Sequence, residues 1–260
     1  MLQYEQEMLA QLMEQDGLLI MARGLGLERL LGALVAAHSA PSCLVLVVGA
    51  SVEEASYVIE TCAHLLQDPA LPPRILTADV PVAERSALYL QGGALFVSSR
   101  ILVVDLLMNR APAHLISGIV VWKAHKILES CQEAFILRLY RQKNKTGFIK
   151  ALSNSALSFT QGFCQVSRVM RNLFVRRLYL CPRFHLTVNS TLAQHQPEVV
   201  ELHLTMTAAM HAIQASLVDI VACTVHELRL ANKGFIDNDM LTPEWALSPV
   251  LSHSSPQSGP

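Results

Sequence analysis

Two stretches of this sequence hold residue types that could handle phosphate. The first is Arg23-Gly24-Leu25-Gly26-Leu27-Glu28-Arg29, between a short apolar run, Leu18 to Ala22, and an apolar helix-like run, Leu30 to Ala37. Strand, glycine turn and helix in that order cradle phosphates, because glycines let backbone amides approach and a helix amino end favours anions. The working version continues Gly-Lys-Ser/Thr. Here Gly26 is followed by Leu27 and Glu28, an apolar side chain and a carboxylate that repels phosphate. The second stretch is Trp122-Lys123-Ala124-His125, directly after the β-branched run Ile119-Val120-Val121. The carboxyl end of a buried strand is where open α/β sheets place their ligands. A nucleotide-driven motor has Asp-Glu-Ala-His there, its acids holding magnesium and activating water. An indole and an ammonium in their place remove the anionic anchor and add a repelling cation. Gly24 and Gly26 therefore read as a tight turn without a ligand, and His125 as an interior or rim histidine. Trp122 is expected to plug the space of nucleotide and metal, with a base-stacking platform as the alternative.

The third chemical signal is positive charge. Net charge is −1, yet from Ala134 to Pro197 there is no Asp or Glu, while Arg138, Arg141, Lys143, Lys145, Lys150, Arg168, Arg171, Arg176, Arg177 and Arg183 supply ten of the twenty Lys and Arg. A solvated surface interleaves both signs, so 64 residues without an acid point to a polyanion partner. Phosphate-led DNA contact is the first reading, with Arg100 added to the candidates, and docking of an acidic protein the second. Arg138, Arg141 and Lys145 share a helix face if the helix reaches that far.

The elements that must position these residues follow from the apolar pattern. Short apolar runs (Leu18 to Ala22, Cys43 to Val48, Arg74 to Thr77, Ala94 to Val97, Ile119 to Val121, Phe148 to Leu152) alternate with helix-like segments, which predicts a parallel sheet covered on both faces. Leu178 to Leu180 and the alternating Val199 to Leu204 read as further strands. Thr207 to Arg229 reads as a helix with Met210, Ile213, Leu217, Ile220, Val221 and Leu228 inward, and residues 242–260, rich in Pro and Ser, as a disordered tail. Hydrophobic residues are 52% and charged ones 16%, so a membrane span must be considered; the 23 uncharged residues from Leu30 to Val52 are broken by His38, Ser39, Pro41 and Ser42 and read as helix plus strand. The six cysteines are scattered, without Cys-x-x-Cys or a neighbouring His at ligand spacing, so zinc is not expected and the thiols should be reduced.

The order of motifs resembles the superfamily 2 helicase scaffold and, within it, the XPF family of structure-specific DNA repair endonucleases. The resemblance is carried by Tyr4-Glu5-Gln6-Glu7, Asp16-Gly17-Leu18, Ala22 to Gly26, Gln91-Gly92-Gly93, Ser99 to Asp105, and above all by Ala124-His125 and Glu129 to Leu139 continuing to Arg141-Gln142-Lys143-Asn144-Lys145. Val169 to Val175 and Pro182 to His185 extend it. It implies a RecA-like parallel sheet over residues 1–205 with decayed ATPase motifs, a helical segment over 206–241 that starts a helical domain, and the tail beyond.

The same resemblance implies branched or junction DNA and repair scaffold proteins as partners, no membrane, and a nuclear location. The family's nuclease signature, Glu-Arg-Lys-x-x-x-Asp, does not occur; the nearest string is Glu84-Arg85-Ser86. No catalytic residue, metal ligand or cofactor is therefore expected here, since the family's divalent metal and its small non-catalytic subunit belong to regions outside these strings. The chain reads as an amino-terminal, ATPase-dead, DNA-binding and scaffolding portion of such an endonuclease. A pure protein-docking module and an active superfamily 2 ATPase are the competing classes.

Overall fold

The computed structural model describes residues 1–63, 71–160, 165–195, 198–231 and 242–247. The first compact unit, Met1–Gln196, is organised by seven strands: β1 Gly17–Met21, β2 Leu44–Val48, β3 Arg74–Leu76, β4 Gly93–Val97, β5 Ile116–Val121, β6 Phe148–Ser153 and β7 Arg177–Cys181. They form one sheet in the order β3-β4-β2-β5-β6-β1-β7, and every neighbouring pair is parallel. β1, β2 and β4 are buried at every position, as strands covered on both faces must be, whereas the edge strand β7 is largely exposed.

Helices cover both faces. On one side lie α1 Gln3–Glu14, α2 Leu27–Ala37, α3 Val52–Ala63 and α8 Leu186–Gln194, whose Leu12, Leu31, Val58 and Val188 pack with the β residues Leu19, Val47 and Val120. On the other lie α4 Val82–Gln91, α5 Ser99–Leu107, α6 Gln132–Lys143 and α7 Val166–Asn172, whose Tyr89, Leu106, Leu137 and Val169 pack with Leu18, Leu46 and Ile119. Successive side chains of each strand thus feed two separate cores. A buried polar knot ties α4 to α5: Asp105 accepts from Arg85 at 3.0 Å and from the Tyr89 hydroxyl at 3.0 Å, with Arg110 at 3.7 Å. Arg85 of the Glu84-Arg85-Ser86 string is therefore a structural cation.

The second unit holds α9, Ala208–Ala231, and a helical turn α10, Pro243–Ala246. The first unit runs to Gln196. Two expectations change here. Val199 to Leu204 is irregular and not a strand: alternation selects a face but supplies no partner strand, and none of these residues joins a ladder. The apolar face of α9 is not turned inward: Ile213 and Ile220 are each 61% exposed, and Met210, Leu217 and Leu228 are exposed too. Among the described residues α9 is also the one helix long and apolar enough to cross a membrane. Most of the predicted tail, residues 248–260, lies outside the described residues, as does Cys164; the other five cysteines are unpaired thiols.

Candidate functional site

The loop after β1 is closed by side chains. Gly24 and Gly26 take φ of +80° and +82°, the left-handed region that favours glycine, and Gly26 stands as the amino cap of α2. A Cβ on Gly26 would meet Glu5 Oε1 at 2.5 Å, and one on Gly24 would meet Arg183 Nη2 at 2.9 Å. Glu5, fully buried, accepts from the Leu2 amide at 2.8 Å and from Arg29 Nη2 at 2.5 Å, while the Tyr4 hydroxyl donates to the Leu25 carbonyl at 3.1 Å. On the far side Arg183 donates to the Arg23 carbonyl at 2.8 Å. The Tyr4-Glu5 and Pro182-Arg183 strings are thus the clamps of this turn. A carboxylate stands beside the residue whose amide would greet a phosphate. Leu27 is buried in the core, and Glu28 sits in the first turn of α2.

After β5 the substituted pair is built into the fold. Trp122 is 3% exposed within the core on the α1–α3 side, so it fills space and cannot serve as a stacking platform for a base. Its indole N–H meets no acceptor at bonding distance among the described residues. Lys123 holds a left-handed backbone, φ +54°, and its ammonium lies 2.6 Å from Glu54 of α3. Glu54 also accepts from the Ser51 amide at 2.9 Å, closing the start of α3. Burial pushes the Glu54 carboxyl up, but Lys123 and the Ser51 amide outweigh it and hold its pKa below the ordinary glutamate value. The expected repelling cation is therefore neutralised inside the protein. His125, in the following 3-10 turn, places Nδ1 2.9 Å from the Ser153 hydroxyl at the end of β6. Burial lowers its pKa, and Lys126, Lys123 and Arg23 lower it further, so it is a neutral rim histidine at pH 7.

β1 and β6 are neighbours whose following helices, α2 and α7, lie on opposite faces, so a crevice opens between their carboxyl ends. It is a cavity of about 290 Å³ lined by Ala22, Arg23, Asn154, Ser155, Ala156 and Leu157. One cation and no carboxylate line it. No group of three or more metal-ligating side chains occurs among the described residues.

The acid-free segment divides sharply. Lys150 is 3% exposed: its ammonium binds the Leu12 carbonyl that ends α1 and lies 3.7 Å from Asp16, and burial lowers its pKa although Asp16 raises it. It is a core cation and leaves the list of DNA contacts. Arg141 is also turned inward, donating to the Gly147 carbonyl at 2.5 Å and to Asp16 at 3.5 Å. The expected Arg138-Arg141-Lys145 face does not form, because α6 ends at Lys143 and Lys145 lies in the turn beyond it. That turn is written by Asn144. Its buried amide donates to the Ala113 and Ile116 carbonyls at 3.0 and 2.9 Å and accepts from the Thr146 and Gly147 amides. Lys143 and Lys145 are left pointing outward, and Arg100, Arg138, Arg168, Arg171, Arg176 and Arg177 are exposed as well. Sequence reading missed Asp16, Glu54 and Asn144 as organisers of distant partners; an Asn two residues before Thr-Gly, Asp16-Gly17 and Ser51-x-x-Glu54 are local turn and capping signals, but none of them announces a partner far along the chain.

Charge is also sorted by face. Residues 1–63, which build α1 to α3, carry eight acids and two arginines, whereas α6, α7 and the entrance to β7 carry the exposed cations.

No protein-family model matches the chain. It is 50% identical over 245 residues to the DNA repair endonuclease XPF of Cricetulus griseus and to that of Mus musculus, covering 92% of this chain and 26% of each relative. The corresponding protein of Drosophila melanogaster is 42% identical over 244 residues, covering 94% of this chain and 24% of the relative. The chain thus spans about a quarter of the length of the curated relatives it matches. Its fold is that of the Pyrococcus furiosus Hef helicase domain, with a TM-score of 0.68, 17% identity, and 94% of this chain and 50% of that one covered.

Proposed function

From a chain that is a homologue of the XPF repair endonucleases and has the fold of a helicase domain, we propose a DNA-binding and scaffolding module that neither needs nor uses ATP. Within a nuclear repair endonuclease it would hold branched or junction DNA by its phosphates while the cutting chemistry resides elsewhere. The observation that carries this reading is the loop after β5, where a core indole and a Lys123–Glu54 ion pair occupy the place of a motor's magnesium-binding acids. Support for the DNA half comes from the exposed cations of α6, α7 and the β7 entrance, in a segment without an acid.

Binding of the purified chain to a splayed-arm duplex, followed by anisotropy against salt, tests the reading. If about four to six of the exposed cations each neutralise a phosphate, log affinity falls against log salt with a slope of roughly −4 to −5. Binding should not depend on sequence, because phosphate contacts position without specifying. A slope near zero, or no binding, would move the module to protein docking.

A further inference from the structure

The α6–α7 cleft combines features that a merely solvated basic surface does not need. It is a hollow of about 180 Å³ lined by Glu129, Ala134, Arg138, Arg171, Asn172 and Phe174. That is below the roughly 300–1,000 Å³ of pockets that enclose a whole small ligand, and suits a single anionic group. Arg138 gives one N–H to the Glu129 carbonyl at 3.3 Å, lies over the Phe135 ring at 6.0 Å, and keeps its remaining donors. Arg171 is exposed and meets no acceptor among the described residues. Asn172 lines the cleft beside them, but its Nδ2 is shut off from solvent and has no partner among the described residues, so the two guanidinium groups are the donors open to an anion.

Phe174 supplies the second element. It is 43% exposed and stands with φ +57° at the residue after the α7 cap, where its amide donates to the Arg171 carbonyl and the Val175 amide to the Met170 carbonyl, both at 3.1 Å. This is the helix stop that glycine normally makes, and a side chain there is held in a backbone region that L residues disfavour. The fold holds an aromatic ring out on a rigid stem beside two guanidinium groups.

We propose that this cleft seats one phosphate of a single-stranded nucleic acid between Arg138 and Arg171, with an adjacent unstacked base lying on Phe174. The proposal rests on the DNA-binding reading above and gives it a strand preference. A carboxylate partner would use the cations but has no flat face for Phe174, and a duplex keeps its bases inside the stack, so single strand is the polyanion that uses the whole cleft.

The test is anisotropy of the full chain with labelled oligo-dT and with a labelled duplex. Arg138→Ala/Arg171→Ala should weaken oligo-dT binding about tenfold or more, since charge-assisted hydrogen bonds are lost. Phe174→Gly should weaken oligo-dT about fivefold or more and leave the duplex unchanged, because stacking is lost only from strands with free bases. Its unfolding temperature should hold or rise, as glycine suits that backbone, so a folding defect cannot imitate the effect. Glu129→Gln should tighten oligo-dT. Phe174→Gly acting equally on both probes, or on neither, overturns the stacked base. Unchanged oligo-dT binding in the double arginine variant, with binding reduced by Lys143→Ala/Lys145→Ala/Arg176→Ala/Arg177→Ala, overturns the cleft and leaves the DNA reading standing. Absence of binding to either probe overturns both. Polyglutamate that displaces oligo-dT at matched ionic strength assigns the cleft to an acidic peptide and overturns the proposal.

Discussion

Replacing Lys150 by Met separates two meanings of a basic residue. Lys150 belongs to the acid-free segment, yet its ammonium is buried against the Leu12 carbonyl and Asp16. In the variant Asp16 keeps the Ile149 amide at 2.9 Å and Arg141 at 3.5 Å, so the group left without a donor is the Leu12 carbonyl. One buried acceptor without a partner costs about 1–3 kcal/mol. For a domain of this size that lowers the unfolding temperature by roughly 2–12 °C. The slope of DNA affinity against salt should not move. The exposed set Lys143, Lys145, Arg176 and Arg177 should do the reverse: replaced together by Ala, they flatten the slope by up to about 3.6, at about 0.9 per phosphate on duplex. Their loss changes stability little, because exposed side chains away from caps and cores contribute within about 0.5 kcal/mol each. Thermal melts and salt titrations on the two variants give the comparison directly. A flattened slope in Lys150→Met with its melting temperature intact would refute the burial argument. An unchanged slope in the quadruple variant would refute the assignment of the exposed cations.

Acid should weaken the fold before any carboxylate titrates. His38 and His125 are both held below the ordinary histidine value, chiefly by burial, with Lys150 adding to the effect at His38 and Lys126, Lys123 and Arg23 at His125. The unfolded chain takes up these protons as pH falls through about 6.5 while the native one resists, so stability drops between about pH 7 and 5. Urea midpoints across that window should fall in the native protein and flatten in His38→Gln/His125→Gln; parallel curves would contradict it. Arg85→Ala should destabilise by about 1.5–3 kcal/mol, because the buried Asp105 carboxylate loses its paired donor and keeps only the Tyr89 hydroxyl and Arg110 at 3.7 Å. Arg85→Ala/Asp105→Asn should recover part of that loss, and a double variant as unstable as the single one would show that the charge is not the cause.

The sheet was legible because its strands are short apolar runs, and both nucleotide loops were legible because each stands directly after such a run. Four helices escaped: α4, α7 and α8 are short, and their apolar residues do not repeat at a helical period long enough to stand out, while the single turn of α10 falls where Pro and Ser read as a disordered tail. Long-range pairing was invisible. Nothing beside Lys150 in sequence announces Asp16, and nothing beside Lys123 announces Glu54, so a lysine destined for the core and one destined for phosphate look alike until the fold brings their partners. Val199 to Leu204 shows the opposite error, an alternating pattern without a strand to receive it. Apolar periodicity also placed α9 correctly while misjudging its exposure, because a stripe defines a face and not what covers it.

On the proposed reading the loops after β1 and β5 serve the fold and not a nucleotide. Equilibrium ATP binding and phosphate release by the full chain, measured with magnesium and saturating splayed-arm DNA, decide this. With Lys123 held by Glu54 and Glu5 standing beside Gly26, turnover should not rise above background and no binding should depend on the Gly24–Gly26 loop. DNA-stimulated phosphate release that disappears on Gly26→Ala, in a variant that still folds, would contradict it.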